Sequence, residues 1–302
     1  MKKPTLIVVA GPTASGKTKL SIQLARHFGT EIISADSRQF YRQLNIGTAK
    51  PTKEELAAIP HHFINTLNLD EEYNIGKYEQ DVLSRLTSLF TKYQSVILCG
   101  GSGLYIRAVC NGIDELPQSD NTLRNKLNDL YRLEGISVLQ KKLNELDPEY
   151  YMIVDKSNPH RLIRAIEVCL LSGKKYSILR QAKPVTRNFN IVKIGYALSR
   201  EELYHRIDTR VDQMINEGLI EEAKSLFHLK QLNALNTVGY KELFEYFENK
   251  IDLSQSISLI KQNSRNYAKR QLTWFNQDRE ITWFNPSQTK NILHFLEEKL
   301  DC

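Results

Sequence analysis

The run "TLIVVA" at 5–10 has no alternation of apolar and polar positions after its first residue, which predicts a strand buried on both faces, as in a parallel sheet. It passes into a glycine-containing loop and then into "KTKLSIQLARHFG", whose periodicity predicts a helix ended at Gly29. "EIISAD" (31–36) predicts a second strand delivering Asp36 at its carboxyl end, and "SVILCGG" (95–101) a third closed by a glycine pair. Strand, loop, helix, strand is the start of a doubly wound α/β sheet. Ligands bind such sheets beyond the carboxyl ends of the strands, where the loop, Asp36 and Gly100–Ser102 would meet.

From about 114 to 190 the strand pattern gives way to helical periodicity, as in "NTLRNKLNDLYRLEG" and "SNPHRLIRAIEVCLLSG". In the second, Asn158 is placed to cap the helix, Pro159 to occupy its first position and Gly173 to end it. "FNIVKIGYAL" (189–198) returns as a strand. "SREE" (199–202) reads as a capping box opening a helix through "ELYHRIDTRVDQMINEG", and the remainder reads as helical to "SLIKQNSRNYAKRQLTWF". The expected organisation is an α/β core from 1–113 and 191–302, the latter with C-terminal helices, interrupted by a helical insertion at 114–190.

Composition changes this picture little. With 302 residues, 41% hydrophobic and 25% charged, the chain is ordinary for a soluble globular protein, and its net charge of +6 is compatible with a polyanionic partner. Cys99, Cys110, Cys169 and Cys302 lack the spacing of a zinc site or a disulfide framework. The apolar start is too short for a signal peptide and runs straight into the loop, and no stretch is long enough to cross a membrane. A cytoplasmic protein is expected, and nothing in the sequence requires more than a monomer.

The loop carries the first chemistry. Gly11, Pro12, Thr13, Ala14, Ser15, Gly16, Lys17 and Thr18 fit G-x-x-x-x-G-K-[ST] between a strand and a helix. Backbone N–H groups and the helix N-terminus point at an anion there, Lys17 neutralises charge and Thr18 is placed to ligate Mg²⁺. An NTPase also needs a second metal-positioning acid, usually ending another strand. The strand "VILCGGSG" offers none, and no base-reading loop follows. The loop therefore needs only an anion with two linked phosphates, and Asp36 beside it is available as a metal ligand or as a base.

Basic residues suggest the partner. Arg161, Arg164, Lys174, Lys175, Arg180, Lys183, Arg187 and Lys193 face a single acid, Glu167, an imbalance that favours nucleic acid over a merely solvated face. Lys261, Arg265 and Lys269 recur at i, i+4 and i+8, a row that repels itself unless phosphates lie along it. Tyr267 and Trp274 are interleaved with it, although core packing is the expected role of Trp274 and Phe275. Arg206 and Arg210 at i, i+4 are placed to clamp a phosphate, or to be neutralised by Asp208 and Asp212. His61 and His62 diverge as neighbours and have no third ligand, so a structural role is expected of them.

"GPTASGKT", "ISADSRQFY", "NIGTAKP", "IPHHFI", "GGSGLYI", "NPHRLIRAIEV", "TVGYKEL" and "YAKRQLTWF", in this order, resemble the bacterial tRNA dimethylallyltransferases nearly end to end. The resemblance implies a nucleoside-kinase-like P-loop core with a helical insertion gripping the anticodon stem. It implies transfer of a dimethylallyl group from dimethylallyl diphosphate to N6 of the adenosine immediately 3′ of the tRNA anticodon, assisted by Mg²⁺. It makes Asp36 the general base and sets Lys17, Thr18 with Mg²⁺, the loop amides and Arg210 against the leaving diphosphate. The acceptor base must be splayed out of its stack to react. Matching tRNA contacts are Asp36, Ser37, Arg38, Gln39, Ser102, Arg124, His160, Arg161, Leu162, Ile163, Arg164, Thr237, Gly239, Tyr240, Lys241, Arg265, Lys269 and Arg270. Ser102 stands where many members have Thr, Arg38 where the residue is often apolar, and His160 where Gln is common. The zinc-finger extension of eukaryotic members is expected to be absent.

Two other classes fit the same loop. One is a kinase or isopentenyltransferase acting on free adenine nucleotides, which would need no extended cationic surface. The other is a nucleotide-switched RNA-binding protein, which would leave Asp36 without a role.

Overall fold

The computed structural model describes residues 2–181 and 185–301; Lys183 and Cys302 lie outside the described residues. In chain order, the first elements are β1 (Thr5–Ala10), α1 (Lys17–His27), β2 (Ile32–Ser34), α2 (Lys53–Ala58), β3 (His61–His62), α3 (Ile75–Phe90), β4 (Ser95–Gly100) and α4 (Gly103–Asn111). Five helices follow: α5 (Asn121–Glu134), α6 (Ile136–Leu146), α7 (Pro148–Ile153), α8 (Pro159–Ser172) and α9 (Tyr176–Leu179). The chain then forms β5 (Asn190–Tyr196), α10 (Arg200–Asn216), α11 (Leu219–Leu226), α12 (Tyr240–Phe247), α13 (Leu253–Phe275), β6 (Ile281–Phe284) and α14 (Thr289–Asp301). Short 3₁₀ turns stand at Ile46–Thr48, Phe227–Leu229 and Asn233–Leu235.

The chain divides into two compact units, Met1–Cys110 with Thr186–Cys302, and Asn111–Val185. The first holds one parallel sheet of order β3-β2-β4-β1-β5-β6. Every residue of β1 is buried, because both faces of the sheet are covered. Leu6, Val8 and Ala10 pack with Tyr78, Val82 and Leu86 of α3, while Ile7 and Val9 pack with Leu20 and Leu24 of α1 and Ile292 and Leu296 of α14. The uniform apolar run thus divides between two cores, each buried Leu, Ile or Val contributing about 1.5–3 kcal/mol.

β3 and β6 were not anticipated. β3 is two residues long, and β6 lies beyond Phe275, where the helical reading of the sequence ends. The "SREE" box is half formed: the Ser199 hydroxyl accepts from the Glu202 amide, but the Glu202 carboxylate turns to Arg206 at 2.6 Å.

The second unit is helical, its core built from Leu127, Leu139, Leu143, Tyr150, Leu162, Ile163, Ala165 and Ile166. The Asn158 side chain caps α8, Pro159 opens it and Gly173 closes it, as their sequence positions require. Glu167 is fully buried and accepts from the Asp120 amide, while Arg124 and Arg164 each stand 2.7 Å from its Oε2.

Candidate functional site

The loop between β1 and α1 is shaped as an anion cradle. Gly16 caps α1 at φ 93°, a left-handed conformation that glycine adopts without strain, and no side chain caps the helix. Its first-turn amides therefore remain open. The buried Ser15 hydroxyl has no hydrogen-bond partner among the described residues. Lys17 folds back, its ammonium 3.0 Å from the carbonyl of Pro12. Burial lowers its pKa, Arg210 lowers it further, and Cys99 and Asp36 oppose the shift. A polyanion entering the loop would act against that lowering and give the ammonium a stronger partner.

α10 and α13 brace the loop from outside. Arg210 donates to the Thr13 hydroxyl at 3.1 Å, and Arg206 to the carbonyl of Ser15 at 3.3 Å. Burial also lowers the Arg210 pKa, with Asp36 and Glu217 acting in the other direction. Gln271 accepts from the amide of Thr13 at 2.9 Å and donates to the carbonyl of Gly101 at 2.8 Å, tying the loop to the end of β4. From the sequence Gln271 is expected only among the residues interleaved with the basic row of α13. Its one signal was a polar residue on the helix face that buries Ala268 and Phe275.

Asp36 follows β2. Its Oδ1 accepts the amides of Arg38 at 2.9 Å and Gln39 at 3.4 Å, closing a tight turn and leaving Oδ2 without a hydrogen-bond partner among the described residues. Ser102 accepts the Ser37 amide at 3.2 Å. The Arg38 guanidinium donates to the carbonyls of Asn233 and Asn236, and the Gln39 amide group donates to those of Thr48 and Ala49 at 3.2 Å. Lys17, Thr18, Asp36, Arg38, Gln39 and Arg210 line one cavity of about 420 Å³, together with His61, Cys99, Thr237, Gly239, Lys241, Tyr267 and Arg270. Burial pushes the Tyr267 phenol up to about 12. A second cavity of about 580 Å³ shares Lys17, Thr18, Ala49, Pro51 and Arg210 and adds Lys19, Lys50, His205 and Arg206.

Several expectations about charge are corrected. Arg265 and Lys261 do not form an unrelieved row: Asp208 and Asp212 of α10 meet them at 2.5 and 2.6 Å. Those aspartates are therefore not the partners of Arg206 and Arg210. The cationic imbalance around the insertion also shrinks. Arg164 pairs with Glu167 and Lys175 with Glu149. Arg187 and Lys193 belong to the other unit, where Arg187 meets Glu79 and the buried Lys193 meets Asp278 and Glu280. His160 and Arg161 are exposed, whereas Leu162 and Ile163 are buried in the helical core and present no side chain at the surface. Tyr240 is fully buried, which removes it as a surface contact. Lys269 and Arg270 are exposed; Phe275 is buried, while Trp274 is 38% exposed.

His61 and His62 take structural partners, the carbonyl of Ile59 and the carboxylate of Glu31. Among the described residues no cluster of three or more His, Cys, Asp or Glu is arranged to hold a metal. None of the described helices is long and apolar enough to cross a membrane.

Residues 39–278 match the family described as IPP transferase. The chain is 52% identical to a tRNA dimethylallyltransferase of Christiangramia forsetii, with 98% of each chain aligned. It is 50% identical to tRNA dimethylallyltransferase 1 of Bacteroides fragilis, over 98% of this chain and 99% of that one. The crystal structure of the tRNA isopentenylpyrophosphate transferase of Bacillus halodurans superposes with a TM-score of 0.72 at 35% identity, covering 99% of this chain and 97% of that one. A eukaryotic dimethylallyltransferase acting on tRNA superposes at 0.80 with 28% identity, covering 93% and 74%. A family match over most of the chain, together with relatives about half identical along its whole length, makes this protein a member of the IPP transferase family.

Proposed function

We propose that the protein transfers the dimethylallyl group of dimethylallyl diphosphate to N6 of the adenosine immediately 3′ of the anticodon in tRNA, releasing diphosphate. The observation that carries this reading is the shared cavity: an open anion cradle, Lys17 and Arg210 stand with a carboxylate whose Oδ2 takes no hydrogen bond from the described residues. The adenine amine is a weak nucleophile because its lone pair is delocalised into the ring, so a carboxylate taking its proton assists attack. As the C–N bond forms, the allylic C–O bond breaks, its electron pair leaves with the diphosphate, and the N6 proton passes to Asp36 Oδ2. The loop amides, Lys17 and Arg210 stabilise the charge that builds on the leaving group.

The donor set suits Mg²⁺. The Thr18 hydroxyl shares the cavity with Asp36, and this ion takes few protein ligands beside water and substrate phosphates. When bound through Thr18 it would neutralise charge on the diphosphate. The exposed His160 and Arg161 of the helical unit, with Lys241, Lys269 and Arg270, supply groups that suit an RNA backbone. A tRNA substrate supports the cytoplasm as its location.

A transfer assay tests this. Labelled dimethylallyl diphosphate and Mg²⁺ are mixed with protein and either unmodified tRNA or AMP, without ATP. Label in tRNA alone is the expected result; label in AMP, or in neither, would overturn the proposal.

A further inference from the structure

One strongly bonded carboxylate stands outside the site just described. Glu222, in the first turn of α11, accepts from the amides of Asn45 at 3.1 Å, Ile46 at 2.9 Å and Gly47 at 3.0 Å, and from the Tyr240 hydroxyl at 2.6 Å. The 3₁₀ turn it grips has no side-chain cap of its own, and Ala49, just past it, is held at φ 44°. Tyr240 presses so closely on this turn that a Cβ on Gly47 would lie 2.5 Å from its ring, so no other residue fits there without displacement. Four donors on one carboxylate, from two separate segments, make a strong fastening in a part-buried setting.

What is fastened is a wall of the reaction cavity. Gly47, Thr48, Ala49 and Pro51 line it. The Thr48 and Ala49 carbonyls receive the Gln39 amide group, and the Gln39 backbone N–H is one of the two donors that hold Asp36 Oδ1. Glu222 is thus connected to Asp36 through the 3₁₀ turn and Gln39, while itself lining neither cavity. We infer that Glu222, with Tyr240, is a positioning residue for the transfer reaction, setting the Gly47–Pro51 wall and through Gln39 the aim of the Asp36 carboxylate. The inference rests on the proposed transfer activity and deepens it.

Glu222→Gln tests it. The glutamine keeps the shape but turns an NH₂ group toward backbone N–H donors. Displacement of a catalytic group by about 1 Å can cost on the order of 100-fold, so kcat is expected to fall at least ~10-fold. The Kd for an anticodon stem-loop should stay within about twofold, because the charged groups suited to RNA are untouched. Tyr240→Phe removes one donor of four and should lower kcat by a smaller factor, about 2- to 5-fold, on the same pattern. If Glu222→Gln does not unfold cooperatively, Tyr240→Phe decides the matter by the same measurements. An unchanged kcat with a lowered Tm would overturn the inference, since Glu222 would then serve only the fold. A loss of stem-loop affinity matching the loss of activity would overturn it too. If the wild-type protein transfers no label to tRNA, the proposed function fails instead, and the two failures are distinguishable.

Discussion

Asp36→Asn isolates the proton acceptor. Asn retains an oxygen that can accept the amides of Arg38 and Gln39, now at 2.9 and 3.4 Å, so the turn after β2 should persist. The substitution removes the anionic charge and the Oδ2 acceptor. Removing a positioned general base typically costs 10²- to 10⁴-fold in rate, about 3–5 kcal/mol in the barrier at 1.36 kcal/mol per factor of ten. Each lost turn hydrogen bond would cost about 1 kcal/mol, and since none is lost the Tm should move by less than about 2 °C. The assay is single-turnover transfer, with excess enzyme pre-bound to tRNA and labelled dimethylallyl diphosphate added last, so that weakened binding is not read as slow chemistry. Asp36→Ala, which also loses the turn, should show the same catalytic loss plus a lowered Tm. A single-turnover rate for Asp36→Asn within about threefold of wild type would refute the assignment of Asp36 as base.

Three further outcomes follow from the geometry. Arg210→Gln removes the part-buried cation that α10 sets beside the loop, and a charge-assisted hydrogen bond is worth about 1.5–3 kcal/mol, so calorimetry should show inorganic diphosphate binding about 10- to 100-fold more weakly; a change below twofold would refute its role. Glu167→Ala leaves Arg124 and Arg164 without their shared anion. It should cost on the order of 2–4 kcal/mol in urea unfolding, the low side of the range for a broken buried pair because both guanidinium groups keep contact with water; a loss under ~0.5 kcal/mol would contradict this. Lys50 is held by the Tyr41 carbonyl and the Asn45 and Asn65 side chains, and burial lowers its pKa from 10.5 to about 8. Between those two values the unfolded chain binds more protons, so this group adds stability as pH rises through the window. The stability of wild type minus that of Lys50→Met should therefore increase from pH 8 to 10.5, and a decrease would show the opposite sign.

Local patterns carried much of the fold. β1, the phosphate loop and α1 were legible because each is encoded by neighbours in sequence, as were both caps of α8. The pairing of charges is not legible in the sequence, for a complementary reason. Spacing of i, i+4 reports only what lies on one helix, whereas Lys261 and Arg265 of α13 find Asp212 and Asp208 on α10. Leu162, Ile163 and Tyr240 sit within short recognisable motifs, yet they are buried, because part of a motif serves to hold its polar neighbours in place.

The sequence by itself determined the anion cradle, the parallel-sheet core and the aspartate at the end of β2, since apolar runs, glycines and caps act over a few residues. Only the tertiary structure decided which charges remain available. It gave Gln271 and Arg210 to the loop and set Glu222 against the turn at Asn45–Gly47. Those contacts join residues roughly 175 to 260 positions apart, and no local pattern encodes them. They exist because packing α10, α11 and α13 onto the core brings polar groups together where water is excluded, and an unpaired group there would be costly.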